Sequence, residues 1–189
     1  MSGGEVVRLH TEDVRAKNSM NETSIILALQ KMLTSPVGGA IAVFWARWLI
    51  YLYIPFALLA RRSKKLHHAV YEASWTAALA FSMSTLLAGF IGRVRPYLAV
   101  QGIVALVPPN IQAGSFPSSH TAIAFGVAAA LAFADTRVGV AAFVTALFVA
   151  LGRVAAGMHY PTDVIGGAAV GLISFAIVRA IHRGLARIR

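Results

Sequence analysis

Cysteine is absent from this chain of 189 residues. Its absence removes disulfides, cysteine metal sites and thiol nucleophiles, and leaves serine, histidine and carboxylates to carry any chemistry. Charge is also scarce: 13% of residues are charged, and seven acids face 17 lysines and arginines. With 58% hydrophobic residues and a mean hydropathy of +0.70, the composition is one that a soluble globular domain would struggle to keep in solution, and the bilayer becomes the expected solvent. The formal charge of +10 does not indicate a nucleic-acid binder, because the basic residues flank apolar runs and do not gather on one soluble face. Residues 1–21 lack the basic start and apolar core of a signal peptide. The expected organisation is a polar segment over residues 1–20, disordered or interfacial, followed by one membrane-embedded domain over residues 21–189 with no internal repeat.

What is present is apolar sequence sufficient for about five membrane crossings at ~20 residues each. From Asn21 to Leu33, Ile25, Ile26, Leu29, Met32 and Leu33 recur at helical spacing with Gln30 and Lys31 opposite, which predicts a short amphipathic helix on the membrane surface. Crossings follow over Val37–Ala60, interrupted by Arg47, and over His68–Gly92, with Glu72 near its start. The stretch Arg93–Pro117 holds too many prolines and glycines for one helix and reads as a long loop. Ser118–Ala134 and Val138–Leu151 form a helical hairpin, and Thr162–Ile181 makes the fifth crossing. The fold expected is all-α, a polytopic bundle of about five transmembrane helices behind an interfacial N-terminal helix.

Five crossings put Arg61, Arg62, Lys64, Lys65, Arg137 and the arginines of the C-terminal tail on one face, which the positive-inside rule assigns to the cytoplasm. The other face receives three polar clusters: Arg93 with Arg95-Pro96, then Pro117-Ser118-Ser119-His120, then Arg153 with His159 and Asp163. The N-terminus lies there too, its acids Glu5, Glu12, Asp13 and Glu22 roughly offsetting Arg8, Arg15 and Lys17. Charged groups at membrane depth are costly, so their convergence marks a candidate site. Ser118 is placed as a helix N-cap, leaving the amides of Ser119, His120 and Thr121 to receive an anion. Pro161 suits a first helical position, which puts His159 just before a helix and Asp163 in its first turn. An Asp163–His159 hydrogen bond would hold one ring nitrogen protonated and aim the other at an electrophile. Arginines supply paired contacts to phosphate oxygens.

These residues resemble the signatures of the type-2 phosphatidic acid phosphatases, Lys-x6-Arg-Pro, Pro-Ser-Gly-His and Ser-Arg-x5-His-x3-Asp. Arg95-Pro96 matches the end of the first, Pro117-Ser118-Ser119-His120 three of the four places of the second, and Arg153, His159 and Asp163 the third at its spacing. The resemblance runs from about Gly92 to Gly167. It implies that His159 attacks phosphorus, Asp163 orients it, His120 protonates the leaving oxygen, and Arg95, Arg153 and Ser118 hold the phosphoryl group, with no metal or other cofactor. It also implies a multi-pass protein of the bacterial inner membrane with a lipid phosphate or diphosphate as substrate, and the charge rule puts the site on the extracytoplasmic face. Undecaprenyl diphosphate comes first. Phosphatidylglycerol phosphate, a lipid A phosphate or a polyprenyl-linked sugar phosphate is the alternative, and a non-catalytic lipid-phosphate binding or transport protein is a third reading.

Three positions depart from the signatures. Ala88 stands where the lysine is expected, and no lysine follows Lys65; Arg93, beside the loop, is favoured over Arg47 to supply the missing cation. Gly152 replaces the serine before Arg153, and Ser119 replaces the glycine before His120. Gly166, Gly167 and Gly171 read as positions of close helix packing.

Overall fold

The computed structural model describes residues 20–33, 35–60, 62–108 and 114–186. Met20 apart, the polar segment 1–20 lies outside the described residues, as do Arg61, Arg187 and Arg189. Helix α1 spans residues 20–32. Beyond it the chain forms α2 (Pro36–Val43), a π-helical turn (Phe44–Trp48), a 3-10 turn (Leu49–Leu52) and α3 (Tyr53–Ala60). Then come α4 (Lys64–Ile91), α5 (Pro96–Ala99), α6 (Ser119–Ala134), α7 (Thr136–Ala155) and α8 (Pro161–Ala186).

Local chemistry sets these limits. Ser35 caps α2 by accepting the Gly38 amide at 3.0 Å, with Pro36 at the first helical position. Gly92 ends α4 in the left-handed region at φ 61°, a conformation that glycine adopts without steric penalty. One residue makes the α6–α7 hairpin: Asp135 closes α6, and its carboxylate accepts the amides of Arg137 at 2.9 Å and Val138 at 3.2 Å to open α7. Pro161 opens α8 with Asp163 in its first turn, as the sequence predicts.

Among the described residues, four helical stretches are long and apolar enough to cross a membrane: Pro36–Leu58, Leu66–Ala99, Thr136–Ala155 and Pro161–Leu185. α6 is the fifth apolar helix, shorter at 16 residues and at the centre, packed against α4, α7 and α8. Its inner positions are chiefly alanine and glycine, while large side chains such as Phe90, Ile165 and Leu147 face outward. A bundle whose exterior is hydrocarbon has no need to hide leucine or phenylalanine, and gains instead from close backbone approach. The glycines show this: a Cβ on Gly171 would collide with the Ala122 carbonyl of α6, and one on Gly167 would lie 2.5 Å from the Ser118 carbonyl.

Helix α1 differs from the expectation in one respect. Ile26 is fully buried against Ile103, Val154 and Tyr160 with Leu29 beside it, but Gln30 faces the bundle too. Its amide nitrogen donates to the carbonyls of Val104 at 2.7 Å and Ala155 at 3.1 Å, and its oxygen accepts the Val104 amide at 3.1 Å. Gln30 satisfies loop backbone that no helix pairs, a role periodicity alone cannot reveal. Met20, Ile25 and Met32 stay exposed, an apolar outer edge suited to a membrane surface.

The opposite end of the bundle carries its own ion cluster. Glu72 of α4 accepts from Arg179 of α8 at 2.6 Å and lies 3.3 Å from Nδ1 of His182, while Arg179 and Arg183 lie over the Phe133 ring at the foot of α6. These contacts gather the start of α4, the end of α6 and the end of α8 at one end, as five crossings require. Arg47 is exposed, 5.2 Å from the Trp48 ring, and its side chain runs along the outer surface.

Candidate active site

The three polar clusters meet at one end of the bundle. His159 sits on the turn joining α7 to α8, and Gly157 at φ 70° lets that turn fold under the loop, where a Cβ would lie 2.6 Å from the Val104 carbonyl. The ring is 2% exposed. Its Nδ1 lies 2.7 Å from the carbonyl oxygen of Ser115. A carbonyl can only accept, so Nδ1 carries the proton and Nε2 holds the lone pair. Nε2 faces Arg153 Nη2 at 3.3 Å and Arg95 Nη1 at 3.5 Å.

Asp163 is fully buried, 3.7 Å from Nδ1 of His159, too far for a hydrogen bond. Its carboxylate accepts the Tyr160 amide at 2.8 Å and Arg93 Nη1 at 2.7 Å. The Ser115 carbonyl therefore fixes the tautomer and Asp163 adds a negative field, whereas the sequence pattern had predicted a direct Asp163–His159 bond. Burial lowers the His159 pKa from 6.5 to about 4; the charges of Arg153 and Arg95 push the same way, and Asp163 opposes them. At neutral pH the ring is uncharged, with its lone pair available.

Ser118 is the N-cap of α6 as predicted: its hydroxyl oxygen accepts from the Thr121 amide at 3.5 Å and the Thr121 hydroxyl at 3.0 Å. Its own amide donates to the Asp163 carbonyl at 3.0 Å, which ties the second cluster to the third. Ser119 and His120 form the first turn of α6, both half-buried, and His120 is within electrostatic reach of Arg153, His159 and Arg95. Both line an apolar cavity of about 590 Å³ between α6, α4 and the first crossing, which continues past Ile123 and Val127 to Leu131. A second cavity of about 440 Å³ shares Tyr53, Phe56 and Leu131 and reaches Arg137.

Arg95 and Arg153 are both buried. Arg95 also donates to the Met158 carbonyl at 3.3 Å, and Arg153 donates to the Ala46 carbonyl of the first crossing at 3.2 Å. Ala46 belongs to the π-helical turn, which disturbs the regular helical pairing and leaves this carbonyl turned toward Arg153. The Nε of Arg153 is buried with no partner, a donor still to be satisfied.

Of the three departures from the signatures, Gly152 has a physical reason in the packing. A Cβ on Gly152 would lie 2.6 Å from the Ala46 amide and 2.7 Å from Trp45, so a serine there would push away the strand of chain that supports Arg153. Ala88 is buried where α4 meets the Gly114 loop. Ser119 turns into the apolar cavity. Neither arginine proposed for the lysine's place lies beside Nε2: Arg47 is on the outer surface, and Arg93 is bound to Asp163, Thr162 and Glu22. Glu22, Ser115, Gln30 and Ala46 are the site's supports that sequence reasoning missed. Two of them act through backbone carbonyls, which carry no side-chain signature.

Fold and site together define a polytopic helical membrane protein with a buried neutral histidine between two arginines. The family model described as the PAP2 superfamily matches residues 69–187, and the chain belongs to that superfamily. It is similar to the lipid A 1-phosphatase of Rhizobium johnstonii, 33% identical over 151 residues, 71% of this chain and 61% of that one. It is also similar to the undecaprenyl-diphosphatase BcrC of Bacillus subtilis, 34% identical over 79 residues, 42% of this chain and 40% of that one. The chain thus spans less than two thirds of the length of these curated relatives. Among solved structures, the crystal structure of Aquifex aeolicus LpxE shares the fold, with a TM-score of 0.69 at 22% identity over 83% of this chain and 93% of that one.

Proposed function

We propose that this chain is an integral membrane phosphatase that hydrolyses a lipid phosphate or diphosphate, undecaprenyl diphosphate foremost, through a phosphohistidine on His159. The carrying observation is the His159 ring: Nδ1 is held by the Ser115 carbonyl, and Nε2 faces Arg95 and Arg153. A phosphoryl group entering between those guanidiniums meets a lone pair at phosphorus and donors at its oxygens. The unpartnered Nε of Arg153, the Ser119 and His120 amides that open α6, and the hydroxyl proton of Ser118 add donors.

Chemically, Nε2 attacks phosphorus and the bond to the leaving oxygen breaks as His120 delivers its proton. For a lipid diphosphate the departing group is the lipid monophosphate. Positive charge then develops on the His159 ring, beside Asp163. His120, now neutral, takes a proton from water as the water oxygen attacks phosphorus, the P–N bond breaks, and inorganic phosphate leaves. The apolar cavity below Ser119 and His120 supports a long hydrocarbon chain on the substrate, and the second cavity sharing its Tyr53–Phe56–Leu131 wall suits one chain of great length. The arginines at the far end of the bundle favour the cytoplasm for that end, and hence the extracytoplasmic face of an inner membrane for the site.

A second reading, dephosphorylation of another lipid such as a lipid A phosphate, is favoured by the longer alignment with a lipid A 1-phosphatase. The empty lysine position at Ala88 speaks for a third, a binding or transport protein. One assay separates them: phosphate release in EDTA from undecaprenyl diphosphate, phosphatidylglycerol phosphate and a lipid A phosphate, comparing the parent with His159→Ala and Asp163→Asn. The parent is expected to release phosphate from undecaprenyl diphosphate fastest, and His159→Ala to lose about four orders of magnitude in rate. Activity that survives in His159→Ala would remove the phosphohistidine, and tight binding without release would establish the third reading.

A further inference from the structure

Helix α1 lies outside the stretch that the family model matches, yet it places a carboxylate within the site's supports. Glu22 uses both oxygens: Oε2 accepts from Arg93 Nη2 at 2.7 Å, and Oε1 accepts the Thr162 amide at 3.0 Å together with the Thr162 hydroxyl. The Thr162 amide is one of the open donors at the start of α8, so one helix caps another. Arg93 Nη1 donates to both the Thr162 hydroxyl and Asp163 Oδ1, each at 2.7 Å, and the guanidinium lies 4.0 Å from the Tyr160 ring centroid. The order is then Glu22, Arg93, Asp163, His159, joined by two ion pairs and a 3.7 Å approach. Gln30 and buried Ile26 hold α1 against the bundle, so this carboxylate is placed by a packed element.

We propose that Glu22 is a positioning residue, which shares the charge of Arg93 so that Asp163 keeps its negative field on His159. This rests on the reading of His159 as nucleophile. The physical reason is a charge count. One guanidinium between two carboxylates leaves a net negative charge, whereas Arg93 paired with Asp163 alone leaves none. The ring that attacks phosphorus becomes cationic, and of the groups around it Arg95, Arg153 and any protonated His120 oppose that charge. Asp163 is the anion that favours it, beside the Ser115 carbonyl on Nδ1, and Glu22 keeps Arg93 from cancelling it.

The test uses the full chain in lipid nanodiscs with undecaprenyl diphosphate as probe. Glu22→Gln is expected to lower kcat about tenfold with KM within about twofold, the signature of an interaction made in the transition state. Glu22→Asp should recover part of the loss. In an Arg93→Leu background the Glu22→Gln effect should shrink below about twofold, because residues acting through one partner are not additive. Nitrogen NMR of the His159 ring gives a readout independent of turnover: its titration should move to lower pH in Glu22→Gln. An unchanged kcat together with an unchanged His159 titration overturns the proposal, as does a Glu22→Gln loss that persists in the Arg93→Leu background. Activity retained in His159→Ala sinks the nucleophile assignment instead, and the ring titration then still decides whether Glu22 acts on His159.

Discussion

The two ends of the bundle hold the same kinds of residue in opposite arrangements. At the far end His182 and Arg179 both turn to one carboxylate, Glu72, and the rings of Tyr71 and Phe133 close over them. At the near end His159 gives Nδ1 to a neutral carbonyl and Nε2 to two guanidiniums, and Asp163 is held by Arg93 and stands 3.7 Å away. The first cluster turns its basic side chains to one carboxylate and to aromatic rings, and makes a clasp between α4 and α8. Each end buries an unpartnered guanidinium Nε, that of Arg179 and that of Arg153; what sets the second apart is the Nε2 lone pair of His159 between two guanidiniums and the adjoining apolar cavity. Residue type does not separate an anchor from the proposed reaction site; what each cluster's histidine faces does.

The comparison is broken most directly by making the same substitution at both ends. Arg153→Lys should reduce phosphate release by about 10²–10³-fold, since a lysine cannot reproduce a guanidinium's spread of donors to phosphoryl oxygens. Arg179→Lys should leave the rate within about twofold. Equal losses would mean that the far cluster also serves the reaction. Glu72→Gln should lower unfolding free energy by about 2 kcal/mol by weakening charged hydrogen bonds, with kcat retained, as read by thermal melting and turnover on the same sample.

A smaller effect sharpens the near end. Gly152→Ser, which restores the signature residue, should destabilise the protein by about 1–2 kcal/mol through crowding against Ala46, and should reduce activity by displacing the carbonyl that holds Arg153. An unchanged melt would show that the first crossing yields at no cost. The gentlest test is pH. With a folded pKa of about 4 against 6.5, His159 stays neutral through mild acid, so the acid limb of kcat/KM due to this group should lie well below pH 6. Linkage sets the accompanying sign: between pH 6.5 and 4 the unfolded chain takes up this proton and the native chain does not, so native stability falls over that window.

Much of this was legible in the sequence. Apolar runs of sufficient length disclosed the crossings, and Ser118, Pro161 and Asp163 announced helix starts because capping is a local matter of a few residues. Gly166, Gly167 and Gly171 read as packing positions, and close contacts with Phe116, Ser118 and Ala122 account for them. What stayed hidden acts over long separations or through backbone. Glu22 reaches residues 71 and 140 positions away, and no periodicity carries that information. Ser115 contributes a carbonyl, which any residue would supply. Arg93 looked like a phosphate ligand because it is a cation beside the loop, but a carboxylate on α1 was in a position to claim it. Glu72 lacked an evident partner because Arg179 lies more than a hundred residues on, at the end of another helix.

The shortness of α6 bears on where water enters. Sixteen residues at 1.5 Å each extend about 24 Å, against a hydrocarbon layer of about 30 Å. The helix that opens at the candidate site is therefore several ångströms shorter than a full hydrocarbon thickness. With the foot of α6 level with one surface, its head would be recessed from the other, and the proposed phosphatase would then receive its hydrolytic water through that recess while the lipid's tail stays in oil.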